Sequence, residues 1–451
     1  MTANKSYVIG CAVVAALGGL LFGFDMAVIS GTTETLAEIY QLDAFWKGFT
    51  VAAALIGTIF GSVLVGKPAD IFGRRKVLFA LAATYFVSAV GSALAWDWFS
   101  FVCFRLLGGL AVGGSSVVSP MYTAEISPAR LRGRLVAITQ FNIVLGVLLA
   151  YFSNYLIGRG DFGADPWRWM LGVEAIPAAA FFLLIFAVPE SPRWLVARKR
   201  IDDARTVLGK LGTDSGNVDS EVAEIQHAID IEHHSLREPF FQRKYRTPIL
   251  LAIAIATFNQ LSGINAILYY APEIFKQAGA GDNAARLNSV GIGFMNLIFT
   301  MLAMSVIDFF GRKKLMIVGS IGYIVSLGAT AWAFYTYGKN FEGVGSAVVL
   351  VSLLVFIASH AFGQGAVIWV FLAEIFPNRV RARGQALGSF THWVFAAAIS
   401  WTFPIIAEAS GAHVFAFYAA MMVLQLLWVL KFMPETKGVP LEKIQEKLGI
   451  A

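Results

Sequence analysis

Twelve long apolar runs constrain this chain more than any other feature of its sequence. Each run has about the 20 mostly apolar residues that a helix needs to cross the hydrocarbon core of a bilayer. Only helices and closed barrels satisfy their backbone polar groups in lipid, and runs this continuous lack the alternation of barrel strands. The runs are 8–31, 46–69, 77–95, 99–123, 136–157, 168–188, 248–275, 288–308, 315–337, 346–375, 384–407 and 413–433. We therefore predict an all-α membrane protein with twelve transmembrane helices.

The composition agrees with this prediction and argues against other classes of protein. Hydrophobic residues make up 57% of the 451 residues and charged residues 14%, against about 25% charged in a soluble domain. The mean hydropathy is +0.67. The net charge is only +6, and the basic residues form no stripe of the kind that binds nucleic acid. The two cysteines, Cys11 and Cys103, make neither a disulfide framework nor a metal site.

The runs fall into two sets of six that repeat one another. We expect an N-terminal half at 1–188, a cytoplasmic linker with short amphipathic helices at 189–247, and a C-terminal half with a short tail at 248–451. Three motifs recur at offsets of 238, 249 and 245 residues: Asp70-Ile-Phe-Gly-Arg-Arg-Lys76 as Asp308-Phe-Phe-Gly-Arg-Lys-Lys314, Glu125-Ile-Ser-Pro as Glu374-Ile-Phe-Pro, and Pro189-Glu-Ser as Pro434-Glu-Thr. Near-constant offsets indicate that one six-helix unit was duplicated, as in many alternating-access transporters.

The basic residues predict the orientation in the membrane. The loops 70–76, 130–134, 308–314 and 379–383 hold three Lys or Arg residues each, whereas all the loops on the other face hold six. Lys and Arg are enriched in cytoplasmic loops. We therefore expect these four loops, the linker and both termini to face the cytoplasm of a cell that carries the chain in its plasma membrane. The first run is too long for the apolar core of a cleavable signal peptide and is interpreted as a membrane span.

The ordered set of motifs resembles the sugar porter family of the major facilitator superfamily over nearly the whole chain. Bacterial proton-coupled xylose and hexose symporters resemble it most, and animal glucose facilitators less. The motifs are Gly23-Phe-Asp25 with Ile29-Ser-Gly31, Arg105-Leu-Leu-Gly-Gly109, Pro120-Met-Tyr-Thr-Ala-Glu125, Arg132-Gly133, Pro189-Glu-Ser-Pro-Arg193-Trp194, Gln260-Leu-Ser-Gly-Ile-Asn265 and Pro434-Glu-Thr-Lys-Gly438. The resemblance implies the major facilitator fold and a secondary transporter that imports a monosaccharide, acts as a monomer and uses a proton as the coupling ion, with no cofactor.

Charged residues cluster at the predicted cytoplasmic ends of the helices. Such side chains can bridge neighbouring helices and hold one face of a transporter shut until its halves move. Together with the resemblance, their positions predict a gating role for Asp70, Arg74, Glu125, Arg132, Glu190, Asp308, Arg312, Glu374, Arg381 and Glu435. The alternative is that they serve as topology signals and snorkelling side chains, although acidic residues contribute little to topology.

Three ionisable residues lie inside predicted membrane spans: Asp25 in the first, Arg105 in the fourth and Glu174 in the sixth. Ionisable groups within a membrane are costly and are candidates for function. Burial favours the neutral form of a carboxyl group, whereas a neighbouring guanidinium favours the ionised form. A carboxylate under both influences suits proton coupling, and the resemblance implies that Asp25 and Arg105 form this pair. The alternative is a static ion pair that fixes helix packing.

A sugar requires amide side chains, which donate and accept hydrogen bonds, together with aromatic platforms. Amides in membrane helices can instead join one helix to another. Two of the amides, Gln260 and Asn265, lie in the motif that binds sugar in the resembling family. The predicted substrate-binding residues are Phe22, Gln140, Asn259, Gln260, Asn265, Asn296, Trp369, His392 and Trp393.

Departures from the family pattern leave the sugar open. The tenth run carries Gly365-Ala366 where Gly-Pro is usual, and His392 stands where an amide is common. Asn259 replaces the usual Gln, and Val147 replaces a Gln of the xylose porter. His392 could act as a neutral hydrogen-bonding substitute or could make binding depend on pH, since histidine titrates near neutrality.

Other functions receive less support from the sequence. A facilitator without proton coupling is disfavoured by Asp25, whereas a porter for a polyol or inositol fits the same pocket chemistry. A sugar sensor usually carries a long signalling tail, and only about 18 residues follow the last run. No nucleophile and base pattern, phosphate-binding loop or metal-ligand spacing indicates an enzyme.

Overall fold

The computed structural model describes residues 5–212, 217–235, 239–338, 341, 343–377, 379–439 and 441–450, and its regular structure there is helical throughout. Twelve helices in these ranges are long and apolar enough to span a membrane. In chain order the spans are Ser6–Gly31, Ala44–Leu64, Arg74–Ala93, Trp98–Ile126, Arg130–Arg159, Pro166–Ala187, Arg243–Gln277, Asp282–Phe310, Arg312–Tyr337, Val344–Glu374, Arg381–Ala409 and Gly411–Lys431. The predicted all-α architecture is confirmed, and the chain is a multi-pass membrane protein.

Each predicted run overlaps one span, and the differences are at the ends. The second predicted run continues to residue 69, but the second span ends at Leu64 because the chain bends there. A separate short helix, Gly66–Phe72, leads to the third span. Hydropathy does not detect such a bend, since the bend changes the direction of the helix and not its composition.

Three spans are interrupted near their middle. The sixth span breaks between Pro166–Gly172 and Ala175–Leu184, and the tenth contains a π-helical turn at Ala361–Gly365. The seventh span breaks at Gly263, whose φ of +82° lies in the left-handed region. A Cβ atom there would lie 2.5 Å from the Tyr418 ring, so both the backbone conformation and the packing require glycine.

Short helices connect and follow the spans. Besides Gly66–Phe72, they are Thr33–Ile39 after the first span, Pro192–Ala197, Ile201–Leu211 and Val218–Ser235 in the linker, and Leu441–Lys447 near the C-terminus. The linker helices share a small apolar core that includes Trp194 and Leu208. These helices lie within the predicted linker, whose bounds and cytoplasmic position remain predictions.

The chain divides into two compact units by its internal contacts. Unit 1 comprises 1–26, 56–150 and 168–237, and unit 2 comprises 27–55, 151–167 and 238–451. Unit 1 is built on an apolar core that includes Leu78, Tyr122 and Phe181. The core of unit 2 includes Ile255 and Phe371. The predicted division at residues 188 and 247 describes the sequence repeat and remains a prediction.

Candidate functional site

A buried cluster of charge lies within unit 1. Arg105 donates from Nη1 to Asp25 Oδ1 at 2.6 Å and from Nη2 to the Asp25 carbonyl oxygen at 3.2 Å. Both side chains are only 2% exposed. Glu174 lies at the break of the sixth span, is equally buried, and interacts electrostatically with both Asp25 and Arg105. The three predicted coupling residues therefore come together.

This cluster carries an excess of acid. Two carboxyl groups share one guanidinium, so the three groups hold one net negative charge when all are ionised. A net charge buried away from water is costly, and a cluster that is neutral overall costs less to bury. Asp25 Oδ2 and Glu174 Oε1 make no hydrogen bond to any described residue. The cluster becomes neutral when one carboxyl group takes up a proton.

Amide side chains form a chain of hydrogen bonds at the break of the seventh span in unit 2. Asn265 Nδ2 donates to Gln260 Oε1 at 2.8 Å, and Gln260 Nε2 donates to Asn259 Oδ1 at 2.9 Å. Gln260 Nε2 also lies 3.2 Å from the ring nitrogens of His392 in the eleventh span. The sharp turn at Gly263 brings Asn265 back toward Gln260. Four predicted sugar-binding residues are thus neighbours.

Aromatic rings adjoin these amides. The Trp369 ring centroid lies 5.2 Å from that of His392, and the Trp393 ring packs edge-on against His392 at 4.8 Å. Trp369 is 38% exposed, whereas Trp393 is buried. Trp369 therefore offers an open apolar face beside hydrogen-bonding groups, which is the combination that a sugar requires.

The remaining three predicted sugar residues are Asn296 in unit 2 and Phe22 and Gln140 in unit 1. Asn296 accepts a 3.4 Å hydrogen bond from Thr300 within its own helix. Phe22 packs against the core of unit 1, and Gln140 is a half-buried residue of the same unit. A sugar-binding role for these three residues remains a prediction.

Arg74 organises a charged cluster in unit 1. It donates from Nε to Glu125 at 2.9 Å and from Nη1 to Asp70 at 3.1 Å. Glu190 accepts the backbone N–H of Arg75 at 3.1 Å and so caps the first turn of the third span. These contacts join the third and fourth spans to the start of the linker.

Arg312 organises the equivalent cluster in unit 2. It donates from Nη2 to Glu374 at 2.8 Å and from Nη1 to Asp308 at 3.1 Å. Glu435 accepts the backbone N–H groups of Arg312 and Lys313 at 2.9 and 3.1 Å. The repeat seen in the sequence is therefore also a repeat of contacts.

Two basic residues of the predicted gate differ from this pattern. Arg132 donates to the carbonyl oxygens of Ala124 and Ser127 at the end of the fourth span, at 3.1 and 3.5 Å. The buried Nε of Arg381 has no hydrogen-bond partner among the described residues. Their gating role remains a prediction.

The sequence reasoning missed a second charged group in unit 2, which we call the Glu273 cluster. Glu273 accepts a hydrogen bond from Thr33 and a salt bridge from Lys47, both at 2.7 Å. Lys276 pairs with Asp282 at 2.7 Å and with Glu34. Lys47 and Lys276 are two of the six Lys and Arg residues in the loops on the other face, which served only to predict the orientation in the membrane. The signal that could have found the cluster is the acid Glu273, which directly follows Pro272 in an apolar span.

The chain matches one protein family over almost its entire length. The family is described as sugar (and other) transporter, and the match covers residues 11–448. The chain is 39% identical to the D-xylose-proton symporter of Escherichia coli, with 98% of this chain and 96% of that protein covered. It is 35% identical to the arabinose-proton symporter of Bacillus subtilis, with 99% and 96% covered.

The chain also matches solved structures of a sugar transporter over nearly its whole length. The partially occluded inward open conformation of the xylose transporter XylE from E. coli has a TM-score of 0.85 at 38% identity, covering 96% of this chain and all of that one. The XylE structure bound to 6-bromo-6-deoxy-D-glucose has a TM-score of 0.80 at 38% identity, covering 99% of this chain and all of that one. The predicted major facilitator fold is confirmed.

Proposed function

The chain belongs to the sugar (and other) transporter family, and we propose that it imports a monosaccharide together with a proton by alternating access. The function is secondary transport and not enzymatic catalysis. Two relatives that match over nearly their full length are named as proton symporters of pentoses. Another relative, from Synechocystis, is named as a glucose transport protein and is 35% identical over 98% of both chains. The proposed substrates are therefore pentoses and hexoses.

The buried cluster of Asp25, Arg105 and Glu174 is the observation that supports proton coupling. With one proton bound the cluster is neutral, and without it the cluster carries a buried negative charge. A carrier that changes conformation readily only in the neutral form would link proton entry to sugar entry. Asp25 is the proposed coupling acid because it pairs directly with Arg105, and Glu174 is the second acid of the site.

The sugar is proposed to bind against Gln260, Asn265, Trp369 and His392. The amides supply hydrogen-bond donors and acceptors for the hydroxyl groups of the sugar. The exposed face of Trp369 would cover an apolar face of the sugar ring. We include three further predicted residues of unit 2 in the proposed site: Asn259, Asn296 and Trp393. A sugar-binding role for Phe22 and Gln140 of unit 1 stays a prediction. A ring nitrogen of His392 lies within hydrogen-bond distance of Gln260 Nε2. This contact favours the interpretation that His392 is a neutral hydrogen-bonding substitute for an amide.

Alternating access is proposed to use the charged clusters as releasable contacts. The Glu273 cluster joins the chain after the first span, and the start of the second span, to the seventh span within unit 2. The Arg74 and Arg312 clusters lie at the ends that the Lys and Arg distribution predicts to be cytoplasmic. We propose a monomeric protein of the plasma membrane with both termini inside.

The proposal is tested with purified protein in liposomes. A panel of radiolabelled pentoses and hexoses, with inositol and a polyol included, is offered with and without an imposed inward proton gradient. We expect accumulation of one or more monosaccharides above equilibrium, abolished by an uncoupler, and alkalinisation of the medium when sugar is added.

Two outcomes would contradict parts of the proposal. If the sugar concentration only equilibrates across the membrane and the proton gradient has no effect on uptake, the protein is a facilitator. Uptake of inositol or the polyol with exclusion of every monosaccharide would move the substrate to another class. Empty liposomes and unlabelled competitor provide the controls.

A further inference from the structure

Five polar side chains in unit 2 form a hydrogen-bonded group outside the predicted sugar site, which we call the Tyr323 cluster. It consists of Ser320, Tyr323, His360, Gln364 and Gln425. The Tyr323 hydroxyl lies 2.5 Å from His360 Nδ1 and donates to Gln364 Oε1 at 3.1 Å. Gln364 Nε2 donates to Gln425 Oε1, and Gln425 Nε2 donates to Ser320 Oγ at 2.8 Å. The cluster joins the ninth, tenth and twelfth spans.

The cluster is almost fully removed from solvent. Ser320, Tyr323, Gln364 and Gln425 are fully buried, and His360 is half-buried. Burying amides in an apolar bundle is costly unless their polar atoms are paired, and here each amide both donates and accepts. An apolar core at these positions would pack without that requirement. The cost of burying these amides therefore indicates that the geometry of the cluster serves a specific function.

The cluster surrounds the π-helical turn of the tenth span. Gln364 lies within the turn Ala361–Gly365, and His360 directly precedes it. A π-turn holds one residue more than an α-turn. The residues after it are therefore rotated by about 100° around the helix axis, compared with their positions in an uninterrupted α-helix. His360 and Gln364 make their side-chain hydrogen bonds to Tyr323 and Gln425 at this turn.

Close backbone packing holds the same turn from another side. A Cβ atom on Gly363 would lie 3.0 Å from the Cα of Gly319 in the ninth span, and the reverse contact is equally short. The two helices thus touch backbone to backbone beside the cluster. The rotation introduced by the π-turn is therefore fixed by packing as well as by hydrogen bonds.

The residue that this rotation orients is Trp369. It lies four residues after Gly365, about one helical turn, in the helix Ala366–Glu374. Its ring packs on His392, which in turn adjoins Gln260. We propose that the Tyr323 cluster consists of positioning residues that hold the π-turn and thereby set Trp369 and His392 for the sugar. This inference rests on the proposed sugar site.

The test separates positioning from simple packing. Gln364→Leu and Gln425→Leu each leave one buried polar atom of the other amide without its partner, so each single variant should unfold at a lower temperature. The double variant removes both amides, while Tyr323 keeps His360 and Ser320 keeps its hydrogen bond to the Met316 carbonyl oxygen. Its thermal stability should recover. Its KM for the transported sugar should nevertheless stay about tenfold above that of the parent, with a smaller change in turnover.

Ser326→Ala is the matched control, because this buried hydroxyl on the same ninth span bonds only to carbonyl oxygens of its own helix. It should leave KM unchanged. If the double variant recovers both stability and the parental KM, the cluster is a packing device and the inference is wrong.

A second measurement does not depend on transport. Trp369→Cys and His392→Cys, combined in a chain with Cys11→Ala and Cys103→Ala, should be joined rapidly by a short bifunctional thiol reagent. Adding Gln364→Leu and Gln425→Leu should slow the cross-linking several-fold, because the tenth span then rotates. An unchanged rate would overturn the inference. A parent that transports no monosaccharide would instead overturn the proposed function, and the cross-linking result would still decide the inference.

Discussion

Asp25 is the side chain on which proton coupling depends in the proposed cycle. Asp25→Asn keeps a polar side chain of similar size beside Arg105 and removes the titration. The variant should lose accumulation driven by a proton gradient, yet still exchange labelled for unlabelled sugar, because exchange needs only the sugar-bound carrier to reorient. Both activities are measured in the same liposomes.

Asp161→Asn, in the exposed loop between the fifth and sixth spans, is the control and should behave as the parent. If Asp25→Asn still concentrates sugar under an imposed gradient, Asp25 is not the coupling acid. Glu174→Gln would then be the next variant to measure.

Gln260 is the central hydrogen-bonding amide of the proposed sugar site. It joins Asn265, Asn259 and His392, so its removal deprives both the sugar and the site of a partner. Gln260→Ala should weaken binding by about 1–3 kcal/mol, or about 5- to 150-fold in Kd, by calorimetry. Gln242→Ala, in the chain before the seventh span, should leave Kd unchanged. Equal affinity in the two variants would remove Gln260 from the site.

The start of the ninth span depends on Arg312, which bridges it to the tenth span through Glu374. Arg312→Ala removes this contact and touches no residue of the proposed sugar site. We expect transport to slow far more than sugar binding weakens, and Arg74→Ala should act likewise in unit 1. Steady-state uptake and calorimetry measure the two quantities.

Lys314→Ala serves as the control for Arg312→Ala, because Lys314 is an exposed residue of the same first helical turn. The gating role would be refuted by variants that lose sugar affinity while each bound sugar still crosses at the parental rate.

The same helix start is capped by Glu435, which accepts the N–H groups of Arg312 and Lys313. A carboxylate at a helix N-terminus satisfies free donors and interacts favourably with the helix dipole. Glu435→Ala should therefore cost about 1 kcal/mol of stability, seen as a lower unfolding temperature in detergent. Glu446→Ala, an exposed residue of the helix Leu441–Lys447, should leave it unchanged. Equal unfolding temperatures would argue against the cap.

The conformational cycle of the whole protein should respond to the Glu273 cluster. Lys47→Ala leaves Glu273 half-paired and mostly buried, which disfavours the conformation described here. Thr50→Cys, a buried position close to Lys47, should then react faster with a thiol reagent that cannot cross the membrane. Lys47→Glu with Glu273→Lys restores the pair with reversed charges and should restore slow labelling. If the labelling rate is the same in both variants as in the parent, the Glu273 cluster does not take part in the conformational change.

The number and order of the spans could be predicted from the sequence. About 20 apolar residues in succession form a transmembrane helix in lipid, and the charged motifs mark the helix ends at which they recur. The motif spacing also predicted the Arg74 and Arg312 clusters, because their members lie at helix ends that recur in both halves. These features depend on local composition, which the sequence contains in full.

The tertiary structure decided which side chains meet. The buried group of Asp25, Arg105 and Glu174, the Glu273 cluster and the Tyr323 cluster each join residues that are far apart in the chain. His360 and Gln364 stood in the tenth apolar run and gave no periodic signal, since single polar residues hardly change hydropathy. The π-turn that contains Gln364 contacts the ninth span at Gly319 and the twelfth span at Gln425. Local sequence sets where a helix can form, whereas its rotation and its partners are fixed by contacts that exist only after folding.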